Sequence, residues 1–327
     1  MTAGTPLRLL LSALSRQRLA RDIGAVLGDT PHALVTIEEG GACDAAFISR
    51  DVTGLSTKHE VLPQTAGFHA ALRASPDLRW VHVHSAGADR PVLVELRQRG
   101  VQVTTSSGAN ATIVAHSALA GVLALARHLP QLLAAQRERR WAPLLGTGLP
   151  RDLQGQTAVI VGWGPIGQQL GRMLQVVGLN VIAVRNSDAP VQGVASVSYD
   201  RIGEVLPQAD WLLLACPLTD RTRGLVDAAA LARMPPGARL VNVARGEVVD
   251  EAALVEALQA GKLAGAFLDV FAHEPLPADS PLWTMDNVIA TPHSAGFSDG
   301  NAARVDAMFL ENLRRWRAGE ALHNLAA

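Results

Sequence analysis

The stretch TAVIVGWGPIGQQLGRMLQVVGLNVIAVRNS, residues 157–187, decides the fold of this chain. It opens on an apolar run, TAVIVGWG (157–164), turns through Gly162, Gly164 and Gly167, and continues as QQLGRMLQVVG with apolar residues at helical spacing. It closes on a second apolar run, NVIAVR (180–185). A strand, a glycine-rich turn and a helix in that order form the opening of a dinucleotide-binding unit. Gly162 permits the tight turn, Gly164 lets backbone approach a pyrophosphate, and Gly167 lets helix pack close to strand, with Pro165 and Ile166 completing the loop. Unpaired N–H groups of the helix's first turn then face the phosphates, and Gly178 is expected to cap its far end. The glycines alone are a weak signal, because ligand-free turns share the pattern; the flanking strand and helix strengthen it.

At the end of the second strand, where such folds place an acidic residue on the ribose, the chain has Arg185, Asn186 and Ser187. A carboxylate repels a 2′-phosphate, whereas a guanidinium pairs with one through two parallel bonds and Asn or Ser adds donors. This predicts NADP(H) as the favoured cofactor, with NAD(H) as the other possibility. The competing reading makes Arg185 a solvated strand-end residue that stacks on adenine whatever the 2′-substituent.

Working outward, strand-like runs recur with helical patterns between them. One series is LRLLLSA (7–13), HALVTI (32–37), AAFIS (45–49), RWVHVHS (79–85) and VQVTT (101–105). After the opening stretch, a second continues through DWLLLACP (210–217), ARLVNVAR (238–245), LAGAFLDV (263–270) and NVIATPH (287–293). Near-continuous Val/Ile/Leu character is what parallel strands covered on both faces require. The fold class is therefore α/β, with two parallel-sheet domains, one Rossmann-like and the other Rossmann-like or flavodoxin-like. The segment 106–155 between the two series begins with Ser-Ser-Gly, read as a helix cap, and holds the longest apolar stretch, IVAHSALAGVLALA (113–126), read as a buried helix. The last stretch, 295–327, has apolar positions at helical spacing through Phe309 and Leu313. That helix is expected to return to the first domain, making it discontinuous: residues 1–105 and 292–327 form a substrate-binding domain, and 106–291 the dinucleotide-binding domain.

Composition narrows the classes. The 327 residues are 48% hydrophobic with a net charge of −1, which gives no sign of nucleic-acid or membrane binding. Two cysteines, Cys43 and Cys216, stand far apart in apolar surroundings. A disulfide framework and a Cys-based metal site are thus not expected, and a reducing, cytoplasmic compartment is. The N-terminal segment containing LRLLL is basic, but its apolar run is too short for a membrane span and suits a first strand and helix.

Three polar residues lie at or beyond strand ends of the second series: Arg245 in VNVARGEVVD, Glu274 in FAHEPLP and His293 in ATPHSAG. Open α/β sheets bind ligands there. Singly, each has an ordinary reading as a solvated arginine, a turn-closing glutamate or a structural histidine. With their flanks, and with SAGADR (85–90), SSGANATIVAHSALAGVLALAR (106–127), CPLTDRTRGLVD (216–227) and LDVFAHEPLP (268–277), the chain resembles the D-isomer-specific 2-hydroxyacid dehydrogenases, the glyoxylate/hydroxypyruvate reductase branch in particular.

The resemblance implies that Arg245 holds the substrate carboxylate and polarises its carbonyl. It makes His293 the acid-base and Glu274 the residue that orients and charges it. The chemistry is coherent, because reducing a 2-oxo acid puts a hydride on carbon and needs a proton on oxygen, and a neighbouring carboxylate stabilises imidazolium. By the same resemblance Ser85, Ala86 and Gly87 form a substrate loop, with backbone N–H groups of Ala86 and Gly87 on the carboxylate. Asp269 is expected near the nicotinamide carboxamide, Cys216 and Pro217 near the adenosine, and Ala244 at the cofactor; each is alternatively a simple fold element. RHLPQLLAAQRERRWAP (127–143) resembles the family's dimerisation arm, implying a homodimer through residues around 106–145 with Trp141 as an interface anchor. The expected activity is NADPH-preferring reduction of small 2-oxo acids, glyoxylate and hydroxypyruvate first. Alternatives are an NAD-linked dehydrogenase of a larger 2-hydroxy acid, oxidation of a substrate such as phosphite, and a non-enzymatic dinucleotide-sensing dimer.

Overall fold

A computed structural model describes residues 6–146 and 149–326. The chain divides into two compact units, Met1–Ala109 with Ser298–Ala327, and Asn110–Phe297. In the first, strands β1 (Leu7–Leu10), β2 (His32–Val35), β3 (Ala45–Ile48), β4 (Trp80–Val83) and β5 (Gln102–Thr105) form a parallel sheet in the order β2-β1-β3-β4-β5. Helices α1 (Ala13–Leu27), α2 (Arg50–Thr53), α3 (Pro63–Arg73) and α4 (Pro91–Gln98) connect these strands. The central strands β3 and β4 are buried throughout, which is why they read as continuous apolar runs.

The second unit begins with helices α5 (Ala111–Ala126) and α6 (Leu129–Arg137). Strands β6 (Thr157–Val161), β7 (Asn180–Arg185), β8 (Ala195–Ser198), β9 (Trp211–Leu214), β10 (Ala238–Asn242), β11 (Leu263–Leu268) and β12 (Val288–Ala290) follow. Their parallel sheet runs β12-β11-β10-β9-β6-β7-β8. The strand order reverses between β6 and β9, and open sheets take their ligands beyond the carboxyl ends at such a switch point. Helices α7 (Pro165–Val176), α8 (Ile202–Val205), α9 (Ala228–Arg233) and α10 (Glu251–Gln259) complete the unit. Its core lies on both faces of the sheet, with α5 pressed so closely that a Cβ on Gly121 would stand 2.4 Å from the Phe267 ring.

The final helix, α11 (Asn301–Ala318), belongs to the first unit. Phe309 stacks on Phe47 with ring centroids 4.4 Å apart and on Trp80 at 5.7 Å, and Arg18 of α1 donates to Asp306.

Several local expectations need correction. Strand β8, ASVS at a sheet edge, grades from an exposed to a buried position with only one large apolar residue, so it leaves no apolar run to be read. The runs ending in CP and AR outlast their strands, because β9 stops at Leu214 and β10 at Asn242 where the backbone turns into loops. Helix α5 begins after Asn110, not at Ser-Ser-Gly; Ser106 instead bonds the buried His82 ring at 3.0 Å. Helix α7 ends at Val176 with Val177, not Gly178, as its C-cap, and Gly178 follows at φ 93°. Among the described residues, no single helix is long and apolar enough to cross a membrane.

Candidate active site

The glycine loop leaves β6 at the switch point. Gly162 has φ 101°, and a Cβ there would stand 2.5 Å from the backbone nitrogen of Cys216 at the end of β9. A Cβ on Gly167 would fall 1.9 Å from the Gly162 carbonyl oxygen, so helix and turn meet only because both residues lack one. Gly164 is different. It is the N-cap of α7, with nothing within 4 Å of where its Cβ would lie, and no side chain caps the helix. Open space beside uncapped N–H groups is the cradle a pyrophosphate needs, and these residues fit a dinucleotide. Pro165 at the first helical position gives up no donor the helix would use.

Arg185 is the last residue of β7, and its Nη1 donates to the Ala189 carbonyl at 3.3 Å. It lines an open cavity of about 570 Å³ with Trp163, Gln168, Arg172 and Gln175, among others, whose lining holds two arginines and no carboxylate. Asn186 lines a second hollow of about 380 Å³ with Tyr199, Pro217 and Thr219. Ser187 is exposed beside them. Cys216 is buried, and burial pushes its thiol up to about 12, so it stays a neutral packing group.

Arg245, Glu274 and His293 follow the carboxyl ends of β10, β11 and β12. Buried Asn242 braces the first of these turns, its Nδ2 donating to the Arg245 carbonyl at 3.0 Å and its Oδ1 accepting from Ala244 N–H at 3.0 Å. The Ala244 carbonyl in turn accepts from Arg245 Nη1 at 2.7 Å. Gly246 lets this turn press on the next loop, since a Cβ there would fall 1.8 Å from the Phe271 carbonyl carbon.

Glu274 Oε2 lies 2.8 Å from His293 Nδ1, while Oε1 accepts from the Phe271 N–H at 3.2 Å. Burial pushes the Glu274 carboxyl up, but the His293 hydrogen bond and charge, the Phe271 N–H and the Arg245 charge outweigh it and hold it below its ordinary value. An ionised carboxylate only accepts, so Nδ1 carries a proton and Nε2 is left for chemistry.

His293 has φ 51°, rare for a residue with a side chain. Its N–H is held by the Asp269 carbonyl at 2.8 Å and the Thr291 carbonyl at 2.9 Å. Asp269 shapes the same turn through its carboxylate, which accepts from Thr291 Oγ1 at 2.6 Å, Ser294 N–H at 2.8 Å and Ala295 N–H at 3.0 Å. Burial pushes the Asp269 carboxyl up against these bonds. Sequence reasoning missed Asn242 and Thr291 and did not see that Asp269 builds the His293 turn. The available signal was a lone Asn inside the apolar run LVNVAR, a residue that stays buried only when its amide is bonded. Ser85, Ala86 and Gly87 lie in the first unit in the turn after β4, where Ser85 Oγ donates to the Gly87 carbonyl at 2.8 Å.

The family model for the NAD-binding domain of D-isomer specific 2-hydroxyacid dehydrogenases matches residues 119–295. A glyoxylate reductase of Korarchaeum cryptofilum is 35% identical over 259 residues, 77% of this chain and 77% of that one. An (S)-sulfolactate dehydrogenase of Chromohalobacter salexigens is 38% identical over 248 residues, 73% of this chain and 78% of that one. The chain belongs to the D-isomer-specific 2-hydroxyacid dehydrogenases. A crystal structure from this family, that of Xanthobacter autotrophicus in complex with NADPH and MES, matches with a TM-score of 0.75 at 31% identity, covering 99% of this chain and 98% of that one. Membership makes the protein an oxidoreductase with a nicotinamide dinucleotide cofactor, built on two parallel-sheet α/β units.

Proposed function

We propose that this dehydrogenase is an NADPH-preferring reductase of small 2-oxo acids, with glyoxylate and hydroxypyruvate as substrates. The observation that carries the cofactor preference is the cavity around Arg185, whose described lining holds two guanidinium groups and no carboxylate. The likeness to an NADPH-bound relative and to a glyoxylate reductase supports the reading.

In this reading Gly162, Gly164, Pro165, Ile166 and Gly167 hold the pyrophosphate, Arg185, Asn186 and Ser187 the 2′-phosphate, and Cys216 and Pro217 flank the adenosine. Ala244 and Asp269 stand at the nicotinamide end. The bound reduced nicotinamide supplies the hydride. Arg245 grips the substrate carboxylate with its planar fork and donates toward the carbonyl oxygen as charge develops there. In the first unit, the N–H groups of Ala86 and Gly87 in the Ser85 turn are donors for a substrate carboxylate. Imidazolium His293 gives the proton on Nε2 to that oxygen, and Glu274 keeps the ring oriented and compensates its charge.

The test is a kinetic panel crossing NADPH and NADH with glyoxylate, hydroxypyruvate and pyruvate, run on wild type and Arg185→Asp. The expected result is a wild-type preference for NADPH that shifts toward NADH by about 10- to 100-fold in kcat/KM on substitution, the effect of losing a charge-assisted bond. An unchanged ratio would assign Arg185 no part in selection.

We also propose a homodimer through residues 106–145. Helix α6 leaves Leu129 and Leu133 exposed, and Trp141 beyond it is 94% exposed, unusual for an indole without a partner. A monomer in sedimentation at micromolar concentration would refute this.

A further inference from the structure

Beside the Arg185 turn stands a second arginine. Arg221, in the loop after β9, directs Nη1 to both oxygens of Asn186, the backbone carbonyl at 2.9 Å and Oδ1 at 2.5 Å. Its Nη2 donates to Asp200 Oδ2 at 2.7 Å. The guanidinium lies over the ring of Tyr199, 5.7 Å from its centroid, and Tyr199 is itself buried and so gives a fixed platform. Asn186 follows Arg185 directly in the chain, so the bonds to Asn186 set Arg221 beside the Arg185 turn. Asn186, Tyr199, Pro217, Thr219, Asp220 and Arg221 all line the same hollow.

The consequence concerns which end of the Asn186 amide faces a ligand. A free asparagine offers either an acceptor or two donors. A guanidinium has donors only, so its bond settles which amide atom is oxygen and holds that oxygen on Arg221. The other end of the Asn186 amide is then Nδ2, with two N–H donors for a ligand. A ribose 2′-hydroxyl both donates and accepts, and NAD-type sites meet it with an acceptor. A 2′-phosphate only accepts.

We propose that Arg221 is a positioning residue for cofactor selection: by bonding both oxygens of Asn186 it fixes the amide's orientation, so that the side chain's Nδ2 donors serve the 2′-phosphate of NADPH. The assignment rests on the reading of the Arg185 turn as the 2′-phosphate site. It differs from a direct role for Arg221 in one measurable way, since its effect passes through Asn186.

The test measures binding alone, by titration calorimetry of 2′,5′-ADP and 5′-AMP against the intact protein, in a cycle of wild type, Arg221→Ala, Asn186→Ala and the double variant. In the wild-type background Arg221→Ala is expected to reduce the preference for 2′,5′-ADP over 5′-AMP by about 3- to 10-fold, the cost of re-ordering a released side chain. In the Asn186→Ala background it is expected to change that preference by less than about twofold. An equal loss in both backgrounds would make Arg221 a direct or long-range charge contact and overturn the proposal, as would no loss in either. Should wild type bind both nucleotides alike, the NADPH reading and this one fail together; a wild-type preference without coupling sinks only the role of Arg221. Where Arg221→Ala does not fold, Arg221→Met keeps an aliphatic stem over Tyr199 and decides the same cycle.

Discussion

Replacing Glu274 with glutamine tests the dyad at its narrowest point. The carboxylate serves two donors at once, His293 Nδ1–H at 2.8 Å through Oε2 and the Phe271 N–H at 3.2 Å through Oε1. Glutamine has one oxygen and one NH₂, so whichever way the amide turns, one of the two donors meets another donor. If the oxygen stays with Phe271, the NH₂ faces His293 and favours the tautomer that accepts at Nδ1, in which the ring is neutral and a poor acid. If it turns to His293, the loop amide loses its partner and the negative charge is gone in either case. A charge-assisted hydrogen bond is worth about 1.5–3 kcal/mol, and each ~1.4 kcal/mol is tenfold in rate. The His293 side chain is 49% exposed and Glu274 18%, so solvent screening places the loss at the lower end, about 10- to 30-fold. The assay is single-turnover NADPH oxidation with glyoxylate at saturating cofactor, which isolates the chemical step. In a His293→Ala background the same substitution is expected to cost less than about threefold, because the group through which Glu274 acts is gone. A loss below about threefold in wild type, or an equal loss in both backgrounds, would refute the reasoning.

Other outcomes follow from the same structure. His293→Ala should lower turnover by about two to four orders of magnitude in steady-state assays, and a loss under about tenfold would remove it as the proton donor. Phe309→Ala should destabilise the protein by about 3–5 kcal/mol in denaturant unfolding, since the ring packs between two aromatic neighbours in the core; a change below about 1 kcal/mol would contradict that packing. Glu274 titrates lower in the folded chain than its ordinary value, so its contribution to stability is complete above about pH 4.5 and fades as pH falls through the folded value. The stability gap between wild type and Glu274→Gln should therefore narrow as pH falls under acid, and a gap that widens there would refute the sign.

Much of the site was legible because its signals are local. The glycine turn reads locally because Gly162 takes a positive φ and a Cβ on Gly167 would meet the Gly162 carbonyl within the same turn, although Gly162 also abuts the distant Cys216 backbone. The end of β7 was equally plain, since the apolar run 181–184 delivers Arg185 to the strand end where such folds place the ribose contact. The short edge strand β8 and the start of α5 at Asn110 escaped, because one has no apolar period and the other is preceded by serines that fit a cap equally well. Asp269 shows the harder limit. Its residue type fits a ligand contact, yet its oxygens are filled by the backbone of Ser294 and Ala295 and the hydroxyl of Thr291, an arrangement no spacing rule contains.

By itself, the order of residues determined an α/β chain with a phosphate-cradling turn and an arginine, a glutamate and a histidine at successive strand ends. Strand and turn formation depend on neighbours a few residues apart, and the chemistry of each side chain is carried by its type. Only the tertiary structure decided that Glu274 and His293 meet at 2.8 Å, that Asn242 and Asp269 hold the turns presenting Arg245 and His293, and that Arg221 reaches back 35 positions to Asn186. Those contacts join separate loops, and their distances depend on how each strand registers with its neighbour in the sheet, which no local pattern specifies.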